Sequence, residues 1–102
     1  MVVRPGAKLR SVVCATEVVV VKAPPGDVDI ECGGQKMVVA ADAPDPAGRP
    51  APGADGGTLL GKRYVDATGA IELLCSRAGD GSLAVGGVAA EVKAAKPLPS
   101  SD

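Results

Sequence analysis

Residues 9–37 read LRSVVCATEVVVVKAPPGDVDIECGGQKM, and residues 62–90, KRYVDATGAIELLCSRAGDGSLAVGGVAA, echo them at an offset of 53 residues. Cys32-Gly33-Gly34 falls on Val85-Gly86-Gly87, Gly26-Asp27 on Gly79-Asp80, Ile30 on Leu83, and Val20-Val21 on Leu73-Leu74. One residue earlier in the frame, Cys14-Ala15-Thr16 falls on Asp66-Ala67-Thr68, so the second copy carries one extra residue after its Thr. The duplication predicts two copies of a small hairpin unit, of which only the first keeps a pair of cysteines at these places.

Within the first copy, valine dominates from Val12 to Val21. A β-branched side chain is stiff at χ1 and packs well on a pleated surface. Val18 to Val21 is apolar on both faces of a strand, which predicts cover on both sides. Ala23-Pro24-Pro25-Gly26-Asp27 supplies a turn, because proline fixes φ and glycine accepts φ > 0. Val28, Ile30 and Cys32 then alternate with Asp29 and Glu31, the one-wet-face pattern of an antiparallel hairpin. In the second copy the pattern predicts strands around Gly61–Val65, Ile71–Ser76, Leu83–Val85 and Ala89–Lys93, and residues 88–96 also admit about two turns of helix.

Between the copies, residues 40–57 (AADAPDPAGRPAPGADGG) hold four prolines and four glycines, which predicts an extended, semi-rigid spacer. The expected organisation is a first ribbon over 1–39, a Pro/Gly/Ala-rich linker over 40–57, a second, degenerate ribbon over 58–93 and a tail over 94–102. The expected fold is all-β, with the two related antiparallel units packed face to face around one core. That core is aliphatic: the 102 residues include fifteen Val, seven Leu and two Ile, one Tyr and no Phe or Trp. Units of about 40 residues seldom hold together alone, so the copies are expected to support each other.

A net charge of −1 offers no basic field for a phosphate backbone, and aromatic stacking platforms are missing. Nucleic-acid binding is therefore not expected. No stretch approaches the ~20 apolar residues of a membrane span, and MVVRPGAKLR lacks the apolar core of a secretory signal. An odd number of cysteines suits a reducing compartment, and a cytoplasmic location is the expectation. With no His and no base beside Ser11 or Ser76, hydrolytic and acid–base catalysis have little to draw on, and Glu17, Glu31, Glu72 and Glu91 read as a solvated face.

The line LRSVVCATEVVVVKAPPGDVDIECGGQKMV resembles the desulforedoxin unit, the rubredoxin-like iron-binding ribbon also found at the front of desulfoferrodoxins. Cys14 matches the second cysteine of that family's first pair, Cys32 the first cysteine of its second pair, and Gly34 and Met37 its closing Gly-x-x-Met. The family's other two ligand positions hold Ser11 and Gly33 here, and in the second copy Asp66, Val85 and Gly86 stand where cysteines would be. The resemblance implies a ribbon whose tetrahedral thiolate site for iron or zinc has lost half its donors.

Three readings of Cys14 and Cys32 follow. As small buried hydrophobes left by a lost metal site they make the chain a non-catalytic accessory or protein-interaction module, partnered by another protein or by itself, which is the leading expectation. As ligands pooled from two chains they hold iron or zinc across a homodimer, for metal binding or electron transfer. As neighbours on one edge of a former tetrahedron they form a thiol–disulfide redox pair. Cys75, opposite Lys22 in the 53-residue frame, is expected to pack in the core or at an edge.

Overall fold

A computed structural model describes residues 1–93. The tail expected over 94–102 lies outside the described residues. The described residues are all-β, with ten short strands in two antiparallel sheets. The first copy contributes β1 (Lys8–Arg10), β2 (Glu17–Lys22), β3 (Ile30–Cys32), β4 (Gln35–Lys36) and β5 (Val38–Val39). From the second come β6 (Arg63–Val65), β7 (Glu72–Arg77), β8 (Leu83–Val85), β9 (Val88–Ala89) and β10 (Glu91–Val92). One sheet runs β10-β6-β7-β2-β1-β5 and the other β4-β3-β8-β9, so each sheet draws equally on both copies.

The copies are therefore joined edge to edge, by backbone ladders, as well as through their faces. In the β2–β7 ladder, Val19 pairs with Leu74, flanked by Val18–Cys75 and Val20–Leu73. In the β3–β8 ladder, Glu31 pairs with Ala84, flanked by Ile30–Val85 and Cys32–Leu83. Both registers are symmetric about their central pair, so an internal pseudo-two-fold axis passes by Val19–Leu74 and Glu31–Ala84. This is the isologous arrangement of a homodimer realised within one chain.

Hydrogen bonding corrects the frame of the duplication. Gly6 N donates to Val20 O (2.7 Å) and Val20 N to Ala7 O (2.8 Å), and the same pair recurs as Gly61 N to Cys75 O and Cys75 N to Lys62 O (both 2.9 Å). The offset through the first hairpin is thus 55, while Met37 N to Ile30 O and Ala90 N to Leu83 O (both 2.9 Å) keep it at 53 later on. The difference lies in the connection between the hairpins, residues 23–29 in one copy and the two-residue-shorter 78–82 in the other. Ala78-Gly79-Asp80 lines up with Ala23 and Gly26-Asp27 once Pro24-Pro25 is left without a counterpart. Asp66 accordingly matches Ser11, Gly69 matches Cys14, and Cys75 matches Val20 in place of Lys22.

The inward rows of the two sheets form one core. Leu9, Val18, Val20, Tyr64, Leu73 and Cys75 from the larger sheet pack in a single cluster with Ile30, Cys32 and Leu83 from the smaller, completed by Val3, Cys14, Met37 and Ile71. Val19 and Val21 lie on the outer face, half-buried and exposed, so the apolar run of β2 is covered on one side by the core and only partly on the other. The helical reading of 88–96 fails over its described part: Gly86 and Gly87 take φ of 58° and 81°, fold the chain back, and pair Val88 with Val85. Glu72 also departs from the expected solvated face. Its carboxylate is nearly covered by the cations bound to it, Arg63 Nη1 at 3.1 Å and Lys93 Nζ at 3.0 Å, which hold its pKa below the ordinary carboxylate value.

Residues 40–57 do not stand free as a spacer. After a 3₁₀ turn at Ala40–Asp42, Ala47 N donates to Val12 O and Ala51 N to Gly33 O (both 2.9 Å), and Ser82 N donates to Ala54 O (2.8 Å). The proline-rich stretch is a strap laid across the two turns that carry Cys14 and Cys32. Gly33 sits beneath it with φ of 67°, and a Cβ there would meet Val13 Cγ2 at 2.5 Å and Pro50 at 3.2 Å. Glycine is thus required where the resemblance places a second cysteine.

Candidate thiol site

The turn from Ser11 to Thr16 is closed by Ser11 N donating to Thr16 O at 3.0 Å. Inside it, Ser11 Oγ accepts from Val13 N (3.1 Å) and Cys14 N (3.2 Å), fixing the backbone that presents Cys14. Cys14 Sγ lies 3.3 Å from Ser11 Oγ and 3.2 Å from Thr16 Oγ1. Cys32, at the end of β3, turns its side chain into the core and reaches Cys14 with an Sγ–Sγ separation of 3.7 Å. The fold thus brings together the two residues singled out in the sequence, although eighteen positions separate them.

The second copy closes the site. Thr16 Oγ1 is 2.9 Å from Thr58 Oγ1, which accepts from Gly79 N at 3.0 Å. Gly81 presses its backbone on Cys32, leaving a Cβ there only 2.9 Å from the sulfur and from Gly33 N. Thr58, Gly79 and Gly81 carry no sequence signal that ties them to the cysteines, since nothing before folding brings the second hairpin to the first copy's turn. Ser11 had such a signal, its place three residues before Cys14.

The two sulfurs differ in their surroundings. Burial alone raises the Cys14 thiol, but hydrogen bonds from Ser11 and Thr16 and from the backbone at Thr16 and Gly81 favour the anion more strongly, and its pKa falls from 9.0 to about 7. Cys32 is fully enclosed, with 0% exposure. Burial, with the charge of Cys14 beside it, pushes its pKa up to about 12. As pH rises through 7 Cys14 becomes a thiolate while Cys32 stays a thiol. Cys75 stands apart, donating from Sγ to Arg77 O at 3.2 Å and filling the core position that Val20 fills in the other copy.

Comparison with protein-family models, with curated proteins and with solved structures gave no match. None of the helices among the described residues is long and apolar enough to cross a membrane.

The residues present do not fit a tetrahedral iron or zinc centre. The 3.7 Å sulfur separation is close to the ~3.8 Å edge of a four-thiolate site with metal–sulfur bonds of about 2.3 Å. Of the two positions that would complete it, Ser11 Oγ already accepts two backbone N–H groups and Gly33 has no side chain. Among the described residues, no group of three His, Cys, Asp or Glu side chains gathers at any point. Pooling ligands from two chains requires sulfurs at a surface, whereas Cys32 is enclosed by its own chain.

Proposed function

We propose that this chain is a thiol–disulfide redox protein in which Cys14 is the attacking sulfur and Cys32 the resolving one. The observation that carries this reading is the 3.7 Å approach of the two sulfurs inside a hydroxyl-lined turn. A disulfide bond is about 2.05 Å long, so closure needs the sulfurs to approach by about 1.7 Å. The oxidant is a disulfide. Cys14 thiolate attacks one of its sulfurs, forming a mixed disulfide and releasing one thiolate. The Cys32 thiol then gives up its proton and attacks Cys14 Sγ, forming the Cys14–Cys32 bond and releasing the second thiolate. Two electrons and the Cys32 proton leave the protein, and the oxidant becomes one thiol and one thiolate. In a reducing compartment such as the cytoplasm the bond is transient, as a working redox pair requires.

Descent from a desulforedoxin-type ribbon, doubled within one chain, is part of the same proposal. It is supported by Ser11, Cys14, Cys32 and Gly33 standing at adjoining turns and by the pseudo-two-fold pairing of the copies.

Glutathione disulfide tests the roles of the two sulfurs in protein carrying Cys75→Ala. Cys32→Ser is expected to retain one glutathione at position 14, because no resolving thiol remains to expel it. Cys14→Ser is expected to stay unmodified, since Cys32 is enclosed and protonated. Intact-mass measurement reads both, and equal adduct formation in the two variants, or none in Cys32→Ser, overturns the assignment.

A further inference from the structure

We propose that Thr58 is a positioning residue of the thiol pair: its hydroxyl, held by Gly79, completes a hydrogen-bond chain that runs through Thr16 to the sulfur of Cys14. The inference rests on the reading of Cys14 as the attacking sulfur and names the group that keeps it ready.

When Cys14 is a thiolate, the chain of donors has one direction. Gly79 N donates to Thr58 Oγ1 at 3.0 Å. The single proton of Thr16 is drawn to the anionic sulfur, 3.2 Å away, so Thr16 Oγ1 accepts the Thr58 proton across 2.9 Å; when Cys14 is protonated, Thr58 donates instead to Gly79 O at 3.4 Å. Each link polarises the next, so a donor one step from the sulfur still strengthens the bond that reaches it.

The placement of Thr58 is fixed on both sides. Its backbone N–H donates to Gly79 O at 2.9 Å while its side chain receives from Gly79 N, so the residue clasps the turn between β7 and β8 with backbone and hydroxyl together. Thr58 is buried, with 4% exposure, and Thr16 is equally enclosed at 1%, so solvent does not compete for these bonds. A Cβ at position 79 would lie 2.5 Å from Thr16 N, so only glycine lets this turn approach closely enough to feed the chain. Thr58 follows the strap directly, so the second copy delivers this donor to a site whose two sulfurs both come from the first.

A threonine that merely fastened the turn would leave the thiol's acidity unchanged, and that difference is measurable. The ultraviolet absorbance of thiolate is followed between pH 5 and 9 in reduced full-length protein carrying Cys75→Ala, where only Cys14 titrates. Thr58→Val is expected to raise the midpoint by roughly 0.5–1 pH unit, about a 3- to 10-fold fall in the ionisation constant of the thiol. Thr58→Ser, which keeps the hydroxyl, is expected to restore it. Thr58→Ala removes the same hydroxyl without branching and is expected to match Thr58→Val, so the test survives a folding defect in either. An unchanged midpoint in the hydroxyl-free variants, or an equal rise in Thr58→Ser, overturns the proposal. The titration needs no disulfide: a shifted midpoint in a protein that never forms the Cys14–Cys32 bond sinks the redox reading alone, and bond formation with an unmoved midpoint sinks the role of Thr58 alone.

Discussion

Leu73→Ala is expected to lower the free energy of unfolding by about 2–5 kcal/mol, the range for deleting a fully buried leucine side chain. Leu73 has no exposed surface and pairs with Val20 across the junction of the copies and with Tyr64 on the other side. Its removal empties a space lined by both halves, and no aromatic ring besides Tyr64 is available in the chain to relax into it. Small domains are stable by only about 5–15 kcal/mol, so the loss is a large fraction of the total. Urea denaturation measures it, and the two halves are expected to unfold in one transition because every sheet is shared. A loss below about 1 kcal/mol, or separate transitions for two halves, contradicts the description of a single core.

Stability of the reduced protein is expected to pass through a maximum near pH 9. The folded pKa of Cys14 is lowered from 9.0 to about 7, so between these values the folded chain has released a proton that the unfolded chain still holds, and stability rises with pH. Read downward, this contribution is present above pH 9 and is lost as pH falls through 7. Cys32 acts with the opposite sign. Its pKa is raised from 9.0 to about 12, so across that window the folded chain keeps a proton that the unfolded chain has lost, and stability falls. Denaturant midpoints measured from pH 6 to 11 read both limbs. Cys14→Ser is expected to flatten the rise and Cys32→Ser the fall, and a profile in wild-type protein that declines from pH 7 to 9 contradicts the assignment of the thiolate to Cys14.

The strands β2, β3, β6, β7 and β8 were legible in the sequence because their signal is local, but the hairpin expected across residues 23–27 is not formed, because β2 and β3 lie in different sheets. Valine runs, alternation at Val28 to Cys32, and Gly-rich turns at Gly33-Gly34 and Gly86-Gly87 place elements without knowledge of the rest. Pairing of the copies was legible in outline, but its geometry was not. Matching identical residues gave a 53-residue frame with a one-residue step that put Asp66 on Cys14, whereas the ladders, which respond to backbone register, keep an offset of 55 through the first hairpin and place a two-residue change between the hairpins. The sulfurs' proximity was legible as a consequence of the ribbon pattern. The asymmetry between them was not, because it depends on hydroxyls and backbone amides brought from Thr58, Gly79 and Gly81 by long-range folding. Composition also misrepresented residues 40–57: proline and glycine suit a spacer, yet the same lack of bulk lets the chain lie flat across Gly33 and hydrogen-bond along its path. Glu72 read as solvated because a lone carboxylate on a strand carries no mark of the two cations that later enclose it.

The most direct test is a redox titration of protein carrying Cys75→Ala, equilibrated across a series of glutathione buffers and then quenched for counting of free thiols. A paired dithiol is expected to lose both thiols together in one two-electron transition, with a slope of about 30 mV per tenfold change and no glutathione retained. Two thiols that persist at the most oxidising poise, or a glutathione adduct on Cys14 with Cys32 free throughout, contradict it.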